Sequence, residues 1–234
     1  MQKKILIANW KSHKTKSEVD HWFSTLEKHY VEEKDANNDI KIIIAPSALY
    51  LELAIQWSEK FPGISIAAQD VSQFPLGAYT GATAARQLAS LGVAYAIVGH
   101  SERRKYFNET HQIVAQKIDQ LLEARLTPIV CVDEQEIQQQ ADFIPKDQVK
   151  QCIFAYEPVS AIGTGIGQDI PQVISSIELA KLAFGEVPVL YGGSVDERNI
   201  QEYLLVTDGA LIGGASLDAD LFIKLLSSTN SKNS

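Results

Sequence analysis

The sequence predicts an α/β protein folded as a single-domain (β/α)8 barrel. Eight short apolar segments recur along the 234 residues, and each is followed by a segment whose apolar residues have helical spacing. The apolar segments are mostly continuous rather than alternating, which is typical of parallel strands buried on both faces. No linker rich in Pro, Gly or Ser divides the chain. Barrels of this kind typically contain about 250 residues, so this chain is slightly short for the fold.

The predicted elements alternate along the chain. We expect strands at residues 5–8, 40–45, 64–68, 95–98, 128–132, 152–156, 187–191 and 210–212. Apolar residues spaced about 3.6 apart predict helices between them. The clearest stripes are Val19, Trp22, Phe23 and Leu26 after the first strand, Ile113, Val114, Ile118, Leu121 and Leu122 after the fourth, and Val173, Ile174, Ile177, Ala180 and Phe184 after the sixth. Pro171 precedes the last stripe, in the position that proline favours at a helix start.

The segment between strands five and six is shortened. Only 26 residue steps separate Cys131 from Glu157, and this stretch offers two helical fragments, at 135–140 and 147–151. We therefore expect a thin outer layer there. We also expect residues 1–226 to form the barrel and residues 227–234 a polar C-terminal tail.

A doubly wound nucleotide-binding sheet is the alternative fold. It usually has five to seven strands and a glycine-rich turn after the first one. Here the first strand ends in Asn9-Trp10-Lys11, without a glycine. The pattern therefore favours the barrel.

Composition and charge exclude several classes of protein. With 45% hydrophobic residues, the chain is not mainly disordered. A formal net charge of −8 argues against a protein that binds nucleic acid or a membrane surface. Two cysteines, Cys131 and Cys152, are too few for a disulfide framework, and we expect both to be buried as small apolar side chains. We expect no targeting signal and no membrane span, and a cytoplasmic location.

The carboxyl ends of the strands are where such a barrel carries its chemistry. Polar residues or glycines follow seven of the predicted strands: Asn9 and Lys11, Gln69 and Asp70, the sequence HSERR at 100–104, Asp133 and Glu134, Glu157, Gly192 to Ser194, and Gly213 and Gly214. An ammonium, an imidazole and a carboxylate thus meet at one rim. These are the groups that proton transfer requires.

Two glycine pairs and an apolar segment indicate how a substrate is held. Gly192-Gly193 and Gly213-Gly214 each follow a strand and precede a helix, so their backbone N–H groups can approach an anion. Tight turns without a ligand are the alternative. Directly after Glu157, residues 158–167 combine a proline, apolar side chains and late glycines, which favours a lid over an ordinary surface loop.

Six segments resemble the triosephosphate isomerase family, in that family's order and across essentially the whole chain. They are Asn9-Trp10-Lys11, IVGHSERR at 97–104, AYEPV at 155–159, AIGTG at 161–165, YGGSV at 191–195 and GALIGGASL at 209–217. The resemblance implies the (β/α)8 TIM barrel. It also implies a glycolytic and gluconeogenic isomerase that interconverts dihydroxyacetone phosphate and D-glyceraldehyde 3-phosphate by proton transfer through an enediol(ate).

The resemblance further implies the role of each catalytic residue. Glu157 is expected to be the catalytic base and His100 a neutral imidazole that polarises the substrate oxygens, an arrangement for which this family is a well-known example. Lys11 is expected to offset the negative charge of the enediolate and phosphate, and Asn9 to donate a hydrogen bond near the substrate oxygen. Glu102 is expected to be a proton-relay neighbour, or else purely structural. No metal and no cofactor are implied.

The resemblance also implies which residues bind the substrate and which form the lid that closes over it. The substrate-binding set is Asn9, Lys11, Gly163, Ser194, Gly213 and Gly214. The lid is Pro158, Val159, Ser160, Ala161, Ile162, Gly163 and Thr164. Ser160 stands where the family's lid usually has tryptophan, and Ile166-Gly167-Gln168 replaces a hinge that usually contains lysine. Both departures affect closure more than chemistry.

The resemblance implies a homodimer, in which the loop at 71–84 inserts near the partner's active site. Tyr79 and Thr80 are expected near the tip of this loop. Ala82 stands where a glutamate is usual, which removes a possible ion pair with the partner. Asp133 replaces a usual glycine. Apart from a second copy of itself, the expected partner is a small phosphorylated triose, with no nucleic acid and no membrane.

Two other functions are compatible with the same barrel. One is a non-catalytic relative that binds phosphorylated sugars or another protein. The other is a different phosphate-binding barrel enzyme such as an aldolase, but no Schiff-base lysine stands on strand six. The presence of Lys11, His100 and Glu157 together favours an active isomerase.

Overall fold

Eight parallel strands close into a barrel in the computed structural model, which describes residues 3–33, 40–158 and 165–229, with the backbone alone for 30–33. The strands are β1 (Lys4–Asn9), β2 (Ile40–Ala45), β3 (Ile64–Ala68), β4 (Tyr95–Val98), β5 (Thr127–Val132), β6 (Ile153–Tyr156), β7 (Val189–Tyr191) and β8 (Gly209–Ile212). Each pairs with the next, and β1 pairs with β8. The predicted fold class is confirmed. Three strands have the predicted bounds, and the other five differ by one or two residues at an end.

Helices lie in the connections between successive strands and after β8. They are α1 (Lys16–Glu33), α2 (Leu51–Ser58), α3 (Ala85–Leu91), α4 (Ser101–Phe107), α5 (His111–Glu123), α6 (Ile137–Phe143), α7 (Lys146–Val149), α8 (Ile170–Phe184), α9 (Ile200–Val206) and α10 (Ala219–Thr229). The three predicted apolar stripes lie on α1, α5 and α8, and most of their residues are buried. Within the described ranges, no helix combines the length and apolar character that crossing a membrane requires.

Two apolar layers hold the barrel together. Side chains such as Ile7, Ile43 and Ile129 fill the space inside the strands, and a second layer lies between strands and helices. Both cysteines are buried, as predicted. In the outer layer the Trp10 ring packs against Trp22 of α1, with the ring centroids 4.8 Å apart. Because Trp10 follows β1 directly, this contact fixes the strand end from which the first functional residues project.

The connection between β5 and β6 is thin, as predicted. It contains two short helices, α6 with seven residues and α7 with four. The side chain of Gln140 in α6 is fully buried. It accepts a hydrogen bond of 2.9 Å from Arg104 Nη2 and donates one of 3.2 Å to the carbonyl of His111. Polar contacts thus attach this short segment to α4 and α5.

Helix α10 continues to Thr229, beyond the boundary at residue 226 that the sequence suggests. The hydroxyls of Ser227 and Ser228 donate to the carbonyls of Ile223 and Lys224, one turn earlier. Hydroxyl side chains that hydrogen-bond within their own helix are compatible with helical backbone. The first three residues of the expected tail are therefore helical, and residues 230–234 lie outside the described residues.

Candidate active site

A cavity of about 420 Å³ opens at the carboxyl ends of the strands. Residues from five strand ends line it: Asn9 at the end of β1 and Lys11 just after it, His100 after β4, Glu157 after β6, Gly192, Gly193 and Ser194 after β7, and Gly213 and Gly214 after β8. This is the end of the barrel where function is expected. The structure thus brings together most of the rim residues that the sequence singles out.

Glu157 is held in place through both of its carboxylate oxygens. The side chain is 2% exposed, its Oε1 lies 3.0 Å from Nε2 of His100, and its Oε2 accepts a 3.0 Å hydrogen bond from the backbone N–H of Ser101. A Cβ atom at Gly192 would lie 2.9 Å from Cγ of Glu157. The glycine therefore provides the space that the carboxylate side chain occupies.

The ring of His100 is oriented by the start of α4. Its Nδ1 accepts a 3.2 Å hydrogen bond from the backbone N–H of Glu102. A neutral imidazole that accepts at Nδ1 carries its proton on Nε2, where it donates to Glu157. The proton of His100 thus lies on the nitrogen that faces the carboxylate.

Burial and charge act in opposite directions on this pair. Burial lowers the pKa of His100, but the nearby carboxylates of Glu157 and Glu102 outweigh it, so the pKa of the imidazole is raised. Burial raises the pKa of Glu157, but His100 and the Ser101 N–H outweigh it, so the pKa of the carboxyl is lowered. When Glu157 moves away, His100 loses the largest of the charges that raise its pKa.

Lys11 adopts a left-handed backbone conformation, with φ at +50°. The side-chain oxygen of Asn9 accepts a 3.1 Å hydrogen bond from the Lys11 N–H, and Nε2 of Gln69 donates one of 2.9 Å to the Lys11 carbonyl. Residues with side chains rarely adopt this conformation, and it persists where the surroundings fix it, often at functional sites. Asn9 and Gln69 fix it here.

Glu102 contacts two of these residues without lining the cavity. Its Oε1 lies 2.6 Å from Nζ of Lys11, and its Oε2 lies 3.8 Å from Nδ1 of His100. The Glu102 side chain is 41% exposed. This position supports an indirect role, in which Glu102 holds the ammonium beside the imidazole.

The glycine turns after β7 and β8 present backbone donors to the cavity. Gly193, Gly213 and Gly214 line it, and no acceptor among the described residues takes their backbone N–H groups. A Cβ atom at Gly213 would lie 4.0 Å from Nζ of Lys11, so the ammonium is close to these turns. Free N–H groups beside a cation favour an anion.

The predicted lid falls mostly outside the described residues. Pro158 is buried directly after Glu157, whereas residues 159–164, including the predicted substrate ligand Gly163, are outside the described ranges. Gly165, just beyond them, lines the cavity. In the part of the chain that is described, no cluster of three or more His, Cys, Asp and Glu side chains could hold a metal ion.

Two positioning groups are not assigned such roles by the sequence. The sequence places Gln69 on the rim, but its contact with the Lys11 backbone depends on the conformation of the turn after β1. The N–H of Ser101, which holds Glu157, is a backbone group and leaves no side-chain signal. Leu211 and Leu221 also line the cavity, and as apolar residues they give no sequence signal of this position.

The loop after β3 presents apolar side chains to the surface. Phe74 and Tyr79 are 40% and 42% exposed, and their rings stack with centroids 4.4 Å apart. Leu76 is 51% exposed, and Thr80 is exposed beside them.

Four ion pairs within the described part of the chain lie beside this loop. The loop itself has Ala82 at the position where the family usually has a glutamate. Arg103 Nη2 lies 2.8 Å from Oδ2 of Asp70, and Arg103 also pairs with Glu109. Lys117 pairs with the same two carboxylates. Arg103 therefore has acidic partners in its own chain.

Comparisons with known proteins agree with this geometry. The family model described as "Triosephosphate isomerase" matches residues 4–229. Among curated relatives, the triosephosphate isomerase of Mesomycoplasma hyorhinis is 39% identical over 97% of this chain and 98% of its own. Those of Streptococcus mutans and Thermus thermophilus are 37% and 36% identical, over 96% and 97% of this chain and 98% of their own chains. This chain belongs to the triosephosphate isomerase family.

Proposed function

We propose that this protein interconverts dihydroxyacetone phosphate and D-glyceraldehyde 3-phosphate, as an aldose–ketose isomerase of glycolysis and gluconeogenesis. The observation that carries the proposal is the contact of 3.0 Å between the buried Glu157 carboxylate and Nε2 of His100, at a cavity that also holds Lys11. Family membership supports the choice of a phosphorylated triose as substrate.

Glu157 acts as the base in this proposal. It removes a proton from the carbon beside the carbonyl of dihydroxyacetone phosphate, and the electron pair left behind forms the enediol(ate). It then returns the proton to the adjacent carbon, which yields the aldehyde. Because both of its oxygens are held by His100 and Ser101, the carboxylate leaves these partners when it engages substrate.

His100 acts on the substrate oxygens. Its Nε2 proton, which points to Glu157 here, becomes available to a substrate oxygen once the carboxylate moves. A neutral imidazole can donate this proton and accept one back between the two oxygens of the intermediate, which an imidazolium does less well. The loss of the Glu157 charge favours that neutral form.

Lys11 and the glycine turns bind the negative charges. The Lys11 ammonium stabilises the enediolate and the phosphate, with Asn9 and Glu102 fixing its position. Gly213, Gly214 and the turn containing Ser194 bind the phosphate through N–H groups, together with Gly163 of the lid. Binding energy from the phosphate, which does not react, then helps to organise the site for proton transfer.

A homodimer and a cytoplasmic location belong to the same proposal. The stacked pair of Phe74 and Tyr79, with Leu76, gives the loop after β3 an apolar surface suited to a second copy of the chain. Thr80 would then lie near Asn9 and Lys11 of that copy. An enzyme that acts on glycolytic intermediates is expected where those intermediates are found.

A coupled assay for glyceraldehyde 3-phosphate tests the function. We expect turnover by the wild type, a lower rate for Glu157→Asp because the carboxylate is displaced by about one bond length, and a loss of at least about a thousandfold for Glu157→Gln. Glu178→Gln, which replaces an exposed carboxylate on α8, serves as the control for handling and folding. Wild-type turnover no higher than that of Glu157→Gln would overturn the proposal.

A further inference from the structure

Three tyrosines converge on Gln168, which lies four positions after the last predicted lid residue. The hydroxyl of Tyr156 donates a 3.1 Å hydrogen bond to Oε1 of Gln168, and the hydroxyl of Tyr203 donates one of 2.7 Å to its carbonyl. The N–H of Gln168 donates a 2.8 Å hydrogen bond to the hydroxyl of Tyr191. The side-chain oxygen and both backbone groups of Gln168 are therefore engaged, by residues of β6, β7 and α9.

These contacts are buried and closely packed. Tyr156, Tyr191 and Tyr203 are at most 4% exposed, and the rings of Tyr191 and Tyr203 stack with centroids 4.2 Å apart. A Cβ atom at Gly167 would lie 2.0 Å from the Tyr203 hydroxyl. Glycine at 167 and tyrosine at 203 thus depend on each other, which gives a physical reason for part of the unusual sequence at 166–168.

The tyrosines connect Gln168 to the catalytic carboxylate. Tyr156 is the residue before Glu157, so the position of its ring helps to fix the backbone from which the base projects. Tyr191 is the residue before Gly192, which provides the space beside the Glu157 side chain. Gln168 therefore contacts the residue that precedes the base in sequence, Tyr156, and the residue that precedes Gly192, Tyr191.

We propose that Gln168 is a positioning residue. Its side chain holds the hydroxyl of Tyr156 and thereby fixes the backbone of the next residue, Glu157. The inference rests on the proposed function of Glu157 as the base. Its specific element is the hydrogen bond from Tyr156 to the Gln168 side chain, because the other two contacts use backbone atoms of residue 168 and survive substitution of the side chain.

Kinetics of three variants test the proposal. Gln168→Met keeps the length of the side chain but removes the acceptor, and Tyr156→Phe removes the donor. We expect each to lower kcat roughly three- to tenfold, the effect of one lost hydrogen bond, with KM changed less than about twofold because the phosphate-binding glycines are untouched. Gln168→Glu keeps an acceptor oxygen at this position, so it should retain most of the wild-type kcat that Gln168→Met loses.

A double variant and a matched control sharpen the test. The combination of Gln168→Met with Tyr156→Phe should be no slower than the slower single variant, because both remove the same contact. Gln172→Met, an exposed glutamine four positions later, should leave kcat unchanged. Unchanged kcat in Gln168→Met, or multiplicative losses in the double variant, would overturn the proposal.

Failure of the proposed function would be distinguishable from failure of this inference. An inactive wild type overturns the isomerase assignment itself. In that case thermal unfolding of the wild type, Gln168→Met, Tyr156→Phe and the double variant decides whether Gln168 fixes Tyr156. Non-additive shifts in Tm support the contact, and additive shifts overturn it.

Discussion

At the residue scale, the proposed chemistry depends on groups that hold the reactive side chains rather than on those side chains alone. The Glu102 N–H sets which nitrogen of His100 carries the proton, and Gln69 fixes the unusual backbone of Lys11. Each of these contacts limits the conformations of a residue that the mechanism needs. Such pre-organisation lowers the cost of reaching the reactive geometry.

The shifted pKa values of Glu157 and His100 make the free energy of unfolding depend on pH. The pKa of His100 is raised above its ordinary value of 6.5, so its contribution is complete below pH 6.5 and is lost as pH rises through the raised value. The pKa of Glu157 is lowered below 4.5, so its contribution is complete above pH 4.5 and is lost as pH falls through the lowered value. The pair should stabilise the fold most between pH 4.5 and 6.5.

Urea unfolding of the wild type and of His100→Gln measures this dependence. The difference in free energy of unfolding between the two proteins should be largest between pH 4.5 and 6.5 and should decrease at higher pH. Glu178→Gln, which replaces an exposed carboxylate on α8, provides a baseline for general pH effects. A difference that grows steadily above pH 6.5 would contradict the account.

At the element scale, the short connection between β5 and β6 depends on polar contacts. Gln140 links α6 to Arg104 of α4 and to the carbonyl of His111 in α5. Because Gln140 is fully buried, its loss leaves buried polar groups without one of their partners. This segment is therefore expected to respond to a single substitution more strongly than a helix with a larger apolar face.

Gln140→Leu should lower the free energy of unfolding by about 1–3 kcal/mol, the cost of leaving buried polar groups unpaired. The kcat of the folded fraction should stay near that of the wild type, because α6 does not line the cavity. Gln138→Leu, exposed on the same helix, should change stability by less than about 0.5 kcal/mol. Equal effects of the two substitutions in urea unfolding would contradict this assignment.

The bounds of several strands and the shared rim of the catalytic residues can be predicted from the sequence, but long-range side-chain contacts cannot. Strands β2, β3 and β4 are short, mostly apolar segments, and their predicted bounds match the observed ones. Glu157, His100 and Lys11 follow strands, and the barrel topology then requires them to share a rim. The hydrogen bond from Tyr203 to Gln168 could not be predicted from the sequence. It joins residues 35 positions apart, which become neighbours only when the chain folds.

At the scale of the whole molecule, an acidic protein encloses a site that favours anions. The formal net charge is −8, yet the cavity presents the Lys11 ammonium and backbone N–H groups of the glycine turns. The barrel makes this separation possible, because its strand ends converge on one small region while the charged surface lies on the outer helices. Local geometry therefore decides which charge a ligand meets.

The exposed loop after β3 predicts self-association. Sedimentation should give a mass near twice the 25.8 kDa of one chain at micromolar concentration. Tyr79→Asp should shift the protein to monomers, because a charge on this apolar surface opposes burial against a second copy. Leu182→Asp, which alters an 84% exposed leucine on α8, should leave the mass unchanged. A wild type that sediments as a monomer would contradict the homodimer.

If Glu157 moves a proton between adjacent carbons of the substrate, isomerisation in D2O should reveal this step. A base that exchanges its proton with solvent should place deuterium on the carbon beside the carbonyl of the product, which NMR detects. We predict deuterated product with the wild type and none above background with Glu157→Gln. Wild-type turnover that yields only undeuterated product, or equal incorporation by the two proteins, would contradict the account.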